Sequence, residues 1–172
     1  MIFTTESAES AERPGREARA EKEEDGLRRL SGAVLGAAIE VHRTLGPGLL
    51  ESAYEACLAY ELTGRGLAVE QQLSLPVLYK GVELDCLYRL DMVVEARVLL
   101  EIKAVERILP VHQAQILSYL RLSRLPLGLL INFHCATLKE GVRRFRSSHS
   151  HPSPSALSAL SVVKNTPIGK GE

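Results

Sequence analysis

The chain has no tryptophan, and aromatic residues make up only 5% of its 172 positions. A platform of stacked rings for single-stranded nucleic acid is therefore not evident. Cysteine is as sparse: Cys57, Cys86 and Cys135 are an odd set without C-x-x-C spacing, so neither a disulfide framework nor a zinc site is indicated. They are expected to be reduced and structural. Net charge is lacking too, because 21 Lys and Arg residues balance 21 Asp and Glu residues, which argues against indiscriminate coating of nucleic acid. No apolar run reaches the roughly 18 residues of a membrane span. The start, M-I-F-T-T-E-S-A-E-S, has neither the basic residues nor the apolar core of a signal peptide. These absences lead to the expectation of a cytoplasmic protein with no membrane partner.

What is present is the composition of one globular domain, with 45% hydrophobic and 24% charged residues. Residues 1–25 are polar and charged, with almost no large apolar side chain after Phe3, and read as a disordered arm with some helix near the core. Residues 147–172, containing S-S-H-S-H-P-S-P-S, read as a second tail. The folded unit is expected over residues 26–146. Within it, basic residues outnumber acidic ones after position 100, and Arg124, Arg143 and Arg144 are the candidates for nucleic-acid contact. Scattered solvated charges explain the same count equally well.

Leu27, Leu30, Val34, Ala37, Ala38, Val41 and Leu45 recur at helical spacing and predict a first helix ended by Gly46-Pro47-Gly48. A second helix follows, with Leu50, Tyr54, Cys57, Leu58 and Leu62 as its buried stripe. Glu51 lies in its first turn, where an acid is also favoured simply by the helix dipole. Leu73 to Tyr79 predicts a strand that Pro76 marks as an edge or a kink, and a second strand runs from Val82 past Asp91. After Pro110 a third helix places Gln113, Ile116, Leu117 and Leu120 on one stripe, with His112, Gln115 and Tyr119 on another. The apolar run Leu127 to Phe133 fits an interior strand reached by a helical crossover. Leu138 to Phe145 is left open between strand and short helix.

The stretch from Asp91 to Lys103, D-M-V-V-E-A-R-V-L-L-E-I-K, reads as two antiparallel strands around Glu95-Ala96-Arg97. A three-residue loop pairs Val94 with Val98 and sets Asp91 opposite Glu101 on one face, whereas a two-residue loop would split them across the sheet. Opposed carboxylates, with Cβ atoms roughly 5 Å apart, can converge on a hard cation such as Mg²⁺, which takes oxygen ligands and keeps several waters. The Lys103 ammonium on the same face could hold water or offset charge growing on a phosphate. A solvated sheet face explains D-x(n)-E-x-K as well. Burying Glu101 or Lys103 unpaired would be costly, so each must meet the other, a metal or a partner.

Several blocks coincide in order. G-L-L-E-S-A-Y (Gly48 to Tyr54), Y-R-L-D-M-V-V-E (Tyr88 to Glu95), L-E-I-K-A-V (Leu100 to Val105), H-Q-A-Q-I-L-S-Y-L (His112 to Leu120) and G-L-L-I-N-F (Gly128 to Phe133) together resemble the GxxExxY protein family of the PD-(D/E)XK nuclease superfamily. The resemblance covers about residues 27–145. It implies an α/β fold with a restriction-endonuclease-like αβββαβ core, a mixed sheet with flanking helices. It also implies that Asp91 and Glu101 bind Mg²⁺ or Mn²⁺, that Glu51 completes the metal site, and that Lys103 assists the attacking water or the phosphate. Gln115 and Tyr119 match the Q-x-x-x-Y pattern of RecB-like nucleases and would position metal environment or substrate. The function implied is hydrolysis of phosphodiester bonds in nucleic acid, DNA being favoured, with a homodimer left open. A non-catalytic nucleic-acid-binding or assembly module on the same core is the alternative, and a small-molecule metal hydrolase is a third reading.

Overall fold

The computed structural model describes residues 13–147, in the order α1 (Arg13–Leu45), α2 (Glu51–Gly64), β1 (Val69–Tyr79), β2 (Val82–Val94), β3 (Val98–Lys103), α3 (Pro110–Ser123), β4 (Leu127–Asn132), α4 (Leu138–Gly141) and β5 (Val142–Arg146). The first helix starts inside the stretch expected as an arm, at Arg13. Residues 1–12 of that arm and the tail beyond 147 lie outside the described residues. No helix among the described residues is long and apolar enough to cross a membrane.

The strands form one mixed sheet in the order β1-β2-β3-β4-β5. Its pairs β1·β2, β2·β3 and β4·β5 are antiparallel, and β3·β4 is parallel. The parallel pair follows from α3, whose crossover brings the chain back to the same end of the sheet. Pro76 sits on the edge strand, and the β1·β2 register shifts directly after it, between Pro76 and Val77. The edge and the kink expected from that proline are both present. Leu138 to Phe145 contains both of its alternatives, a single helical turn and then a strand.

Helices cover both faces. On one, Leu27, Val34, Ala37 and Val41 of α1 and Tyr54, Leu58 and Leu62 of α2 pack on Met92, Val94, Val98, Leu100, Ile102, Leu129 and Ile131. On the other, Ile116, Tyr119 and Leu120 of α3 pack on Leu73, Leu75, Leu90, Val93, Leu99 and Leu130. The close approach of α3 is eased by glycine at 128, where a Cβ would stand 2.9 Å from Ile116 Cδ1 and make that side chain shift.

One expected buried position is corrected, and two more apolar helix positions lie at the surface. Leu50 is the residue before α2 rather than part of its stripe and is 77% exposed. Leu117 is 46% exposed because α3 buries the neighbouring stripe Ile116, Tyr119, Leu120 and Ser123. Leu45, the last residue of α1, lies at the surface.

Candidate active site

The β2–β3 turn sets the register. Glu95 and Ala96 both have left-handed backbone, with φ of 51° and 50°, and Arg97 N donates to Val94 O at 3.0 Å. Glu95 is tied to the start of β1, its N donating to Ala68 O and its Oε1 accepting from Ala68 N at 2.7 Å. The ladder then runs Val94↔Val98, Val93↔Leu99, Met92↔Leu100 and stops. This is the odd loop anticipated from the sequence. Asp91 and Glu101, expected to oppose each other in the next row, are not paired, because the ladder ends before them; instead the Asp91 Oδ2 accepts from Ile102 N at 2.8 Å.

Glu101 faces α3, between Leu99 and Lys103, and is 1% exposed. Its Oε1 accepts from Lys103 Nζ at 2.7 Å, while its Oε2 is buried with no hydrogen-bond partner. Such an orphaned oxygen is expensive and calls for a physical reason. Glu51 reaches the same place from the N-terminus of α2, its Oε1 accepting from Ala104 N just beyond β3 at 3.1 Å. Each of the three carboxylates thus spends one oxygen on the protein, two of them on main-chain N–H groups at the end of β3.

Their charges are felt. Burial first, and then the Asp91 charge, push the Glu101 carboxyl from the ordinary 4.5 up to about 7, with Lys103 only partly offsetting them. Burial also raises Asp91, against the Ile102 N–H and the Lys103 charge, with Glu55 and Glu51 adding to the rise. For Lys103, burial works against the charged form, but the bond to Glu101 and the charges of Glu101, Asp91 and Glu51 outweigh it and hold the ammonium above its usual range.

On α3, Gln115 Nε2 donates to Tyr119 Oη at 2.8 Å. Burial raises the Tyr119 phenol, and the charges of Glu101, Asp91 and Lys103 act on it, so this pair stands beside the carboxylates. The arginines are not gathered in the same way. Arg143 shares a row with Leu130 and Glu101, two strands away, and paired residues share a face. Arg144 lies in the row of Leu129, on the α1/α2 face, and Arg124 caps the far end of α3 with φ 56°. The single basic surface allowed by the charge count is not formed by these three.

Residues not anticipated from the sequence also shape the site. Glu55 lies one turn after Glu51, an i,i+4 spacing that put it on the same helix face, and its charge acts on Asp91. Asn132, paired with Lys103 across the parallel strands, is 4% exposed. Its Oδ1 accepts from Val105 N and its Nδ2 donates to Val105 O, at 3.0 and 2.7 Å, fixing the chain that leaves Lys103. A polar residue ending an otherwise apolar strand was the available signal. Tyr54 holds the loop before Glu51: its Oη donates to Gly46 O at 2.7 Å and accepts from Leu49 N at 3.1 Å, and its ring stacks on Phe133 at 4.5 Å.

Among the described residues no group of three or more His, Cys, Asp or Glu side chains is arranged to hold a metal ion. The donors nevertheless suit a hard cation: they are carboxylate oxygens, one of them buried and unsatisfied.

No curated protein matches the chain. Among solved structures it is similar to the crystal structure of SSO0001, at 17% identity and a TM-score of 0.40, over 68% of this chain and 60% of that one. A sequence-family model for the PD-(D/E)XK nuclease superfamily matches residues 28–145, which takes in both flanking layers and every strand of the sheet, and the chain belongs to that superfamily.

Proposed function

We propose that the protein is a Mg²⁺- or Mn²⁺-dependent nuclease that hydrolyses phosphodiester bonds of nucleic acid, DNA by preference. The observation that carries this reading is the Glu101 Oε2 atom, buried and unpartnered beside the charge of Asp91. A divalent ion at this position supplies a Lewis acid that offsets phosphate charge and lowers the pKa of water. Asp91, Glu101 and Glu51 are the residues that would hold it. Lys103, kept in its charged form by three acids, is a poor base at neutral pH, so its part is to face negative charge growing on the phosphate. Glu51, exposed and anchored through one oxygen to Ala104 N, is placed to orient the attacking water. Gln115 and Tyr119 position substrate or the carboxylates from the α3 side.

The same reading assigns the chain to the GxxExxY family, with support from how that segment is used: Tyr54 closes the loop that presents Glu51. Arg143 is the arginine placed to meet the nucleic-acid backbone, since it shares the row of Glu101. No observation favours the non-catalytic alternative, whose basic residues are spread over two faces and one end of the sheet.

The test is incubation of purified protein with plasmid, linear and single-stranded DNA and with RNA, in Mg²⁺, Mn²⁺ or EDTA. Wild type is expected to cut only with metal, and Lys103→Ala to lose at least about a hundredfold in rate while keeping the wild-type circular dichroism. Equal cutting by the variant, or cutting in EDTA, overturns the reading.

A further inference from the structure

Besides the shift after Pro76, the edge strand β1 is irregular at a second row. Gln71 pairs with Met92 and Leu73 with Leu90, but Gln72 and Asp91 between them do not pair. There Gln72 takes a left-handed backbone, with φ 53°. A residue with a Cβ keeps that conformation in a strand only where its surroundings over-determine it. Its own side chain supplies the tie: Gln72 Nε2 donates to Glu55 Oε1 on α2.

Asp91 is released on its other side as well, since the ladder to β3 ends at Met92↔Leu100. The alternation of β2 is reset at this residue. Leu90 and Val93 belong to the α3 face, whereas Met92 and Val94 belong to the α1/α2 face. A regular strand would put Leu90 and Met92 on the same face. The acid is thus a hinge between two phases of one strand, and its carboxylate turns onto Ile102 N.

We propose that Gln72 is a positioning residue for Asp91: its left-handed backbone, pinned through Glu55, keeps β1 from pairing with Asp91 and so orients that carboxylate. This rests on the nuclease reading for its purpose but not for its geometry. Gln72 is assigned no contact with substrate or metal, its effect passing through Asp91.

The test compares Gln72→Val, which disfavours the left-handed region and favours pairing, with Gln72→Gly, which adopts that region freely but lacks the tie. The readouts are Mn²⁺ affinity by calorimetry and amide exchange of Ile102 by NMR, in full-length protein. Gln72→Val is expected to weaken Mn²⁺ binding and speed Ile102 exchange by about tenfold, the scale of one unrelieved left-handed residue. Gln72→Gly is expected to match wild type in Ile102 exchange. Wild-type exchange and affinity in Gln72→Val, or equal losses in both variants, overturns the proposal. If Gln72→Val does not fold, Gln72→Ala takes its place: it lacks the tie and disfavours the left-handed region, and is expected to speed Ile102 exchange relative to Gln72→Gly. Equal exchange in Gln72→Ala and Gln72→Gly overturns the proposal. If wild type binds no Mn²⁺, the nuclease reading fails, and Ile102 exchange alone still decides the role of Gln72.

Discussion

Strand β3 shows its two neighbours different chemistry. Toward α1 and α2 it presents Val98, Leu100 and Ile102, all buried in apolar packing with no polar atom to satisfy. Toward α3 it presents Leu99, Glu101 and Lys103, of which Glu101 is as buried as its apolar neighbours yet leaves one oxygen unpaired. One face is packed for stability, and the other gives some of it up to hold charge away from water. Adjacent residues therefore give the sharpest contrast. Glu101→Gln is expected to lower the cleavage rate at least about a hundredfold, because it removes a proposed metal-holding oxygen. The same variant should melt higher than wild type at pH 8, since a neutral amide relieves the buried charge. Leu100→Ala should do the reverse, losing about 2–5 kcal/mol of stability while retaining wild-type activity per folded molecule. Denaturant melts run beside cleavage assays check both, and a Leu100→Ala protein that is stable but inactive breaks the distinction between the faces.

The charged face also titrates. Glu101 is raised from 4.5 to about 7 in the folded protein, so the folded state holds that proton more tightly than the unfolded one. The stability this contributes is complete below about pH 4.5 and is lost as pH rises through about 7. Asp91, also raised, acts in the same direction. Metal-free protein is therefore expected to be less stable at pH 8 than at pH 5, by on the order of 3 kcal/mol. Glu101→Gln should flatten most of that slope. Metal binding requires the deprotonated carboxylate, so Mn²⁺ affinity should fall as pH drops below 7. Melting and calorimetry across pH 5–8 measure both, and a metal-free protein that gains stability toward pH 8 contradicts the buried, unsatisfied Glu101.

A smaller effect is expected where the apolar face supports the charged one. Tyr54→Phe keeps the stack on Phe133 but removes the hydroxyl that bridges Gly46 O and Leu49 N. A cost of about 1–3 kcal/mol is expected, with a modest loss of activity because the loop before Glu51 loosens. Loss of activity with unchanged melting would mean that Tyr54 acts at the site directly.

What could be read from the residues alone was mainly what local pattern and turn length control. The pairing of Val94 with Val98 followed from a three-residue turn, but the expected opposition of Asp91 to Glu101 is not in the ladder, which ends at Met92↔Leu100. Pro76 announced its edge position because a proline cannot donate to a ladder. The burial of α3 was not legible, since Gln113, Ile116, Leu117 and Leu120 have the same helical spacing as Ile116, Tyr119, Leu120 and Ser123, and the sheet chose the second set. Gln72 was invisible for a deeper reason. Nothing in Glu70-Gln71-Gln72 distinguishes the residue that turns left-handed, because the tie that holds it comes from Glu55, which approaches only when α2 has packed.

The arginines show the same limit and yield the smallest expected effect. Counted along the chain, Arg143 and Arg144 are equivalent, but alternation in β5 sends them to opposite faces. Arg143 falls in the row of Leu130 and Glu101, and Arg144 in the row of Leu129 with the α1/α2 core. Arg143 also donates to the Glu140 and Val142 carbonyls at 2.8 and 2.9 Å, contacts that a phosphate must replace or share. Removing one phosphate contact lowers the salt slope of duplex binding by about one and weakens binding by a few-fold. That loss is expected for Arg143→Ala and not for Arg144→Ala, in fluorescence titrations over a range of KCl with the Lys103→Ala protein to prevent cutting. Equal losses from both variants would mean that nucleic acid reaches around the edge of β5 to the α1/α2 face, and the division of labour between the two faces would then hold for the carboxylates alone.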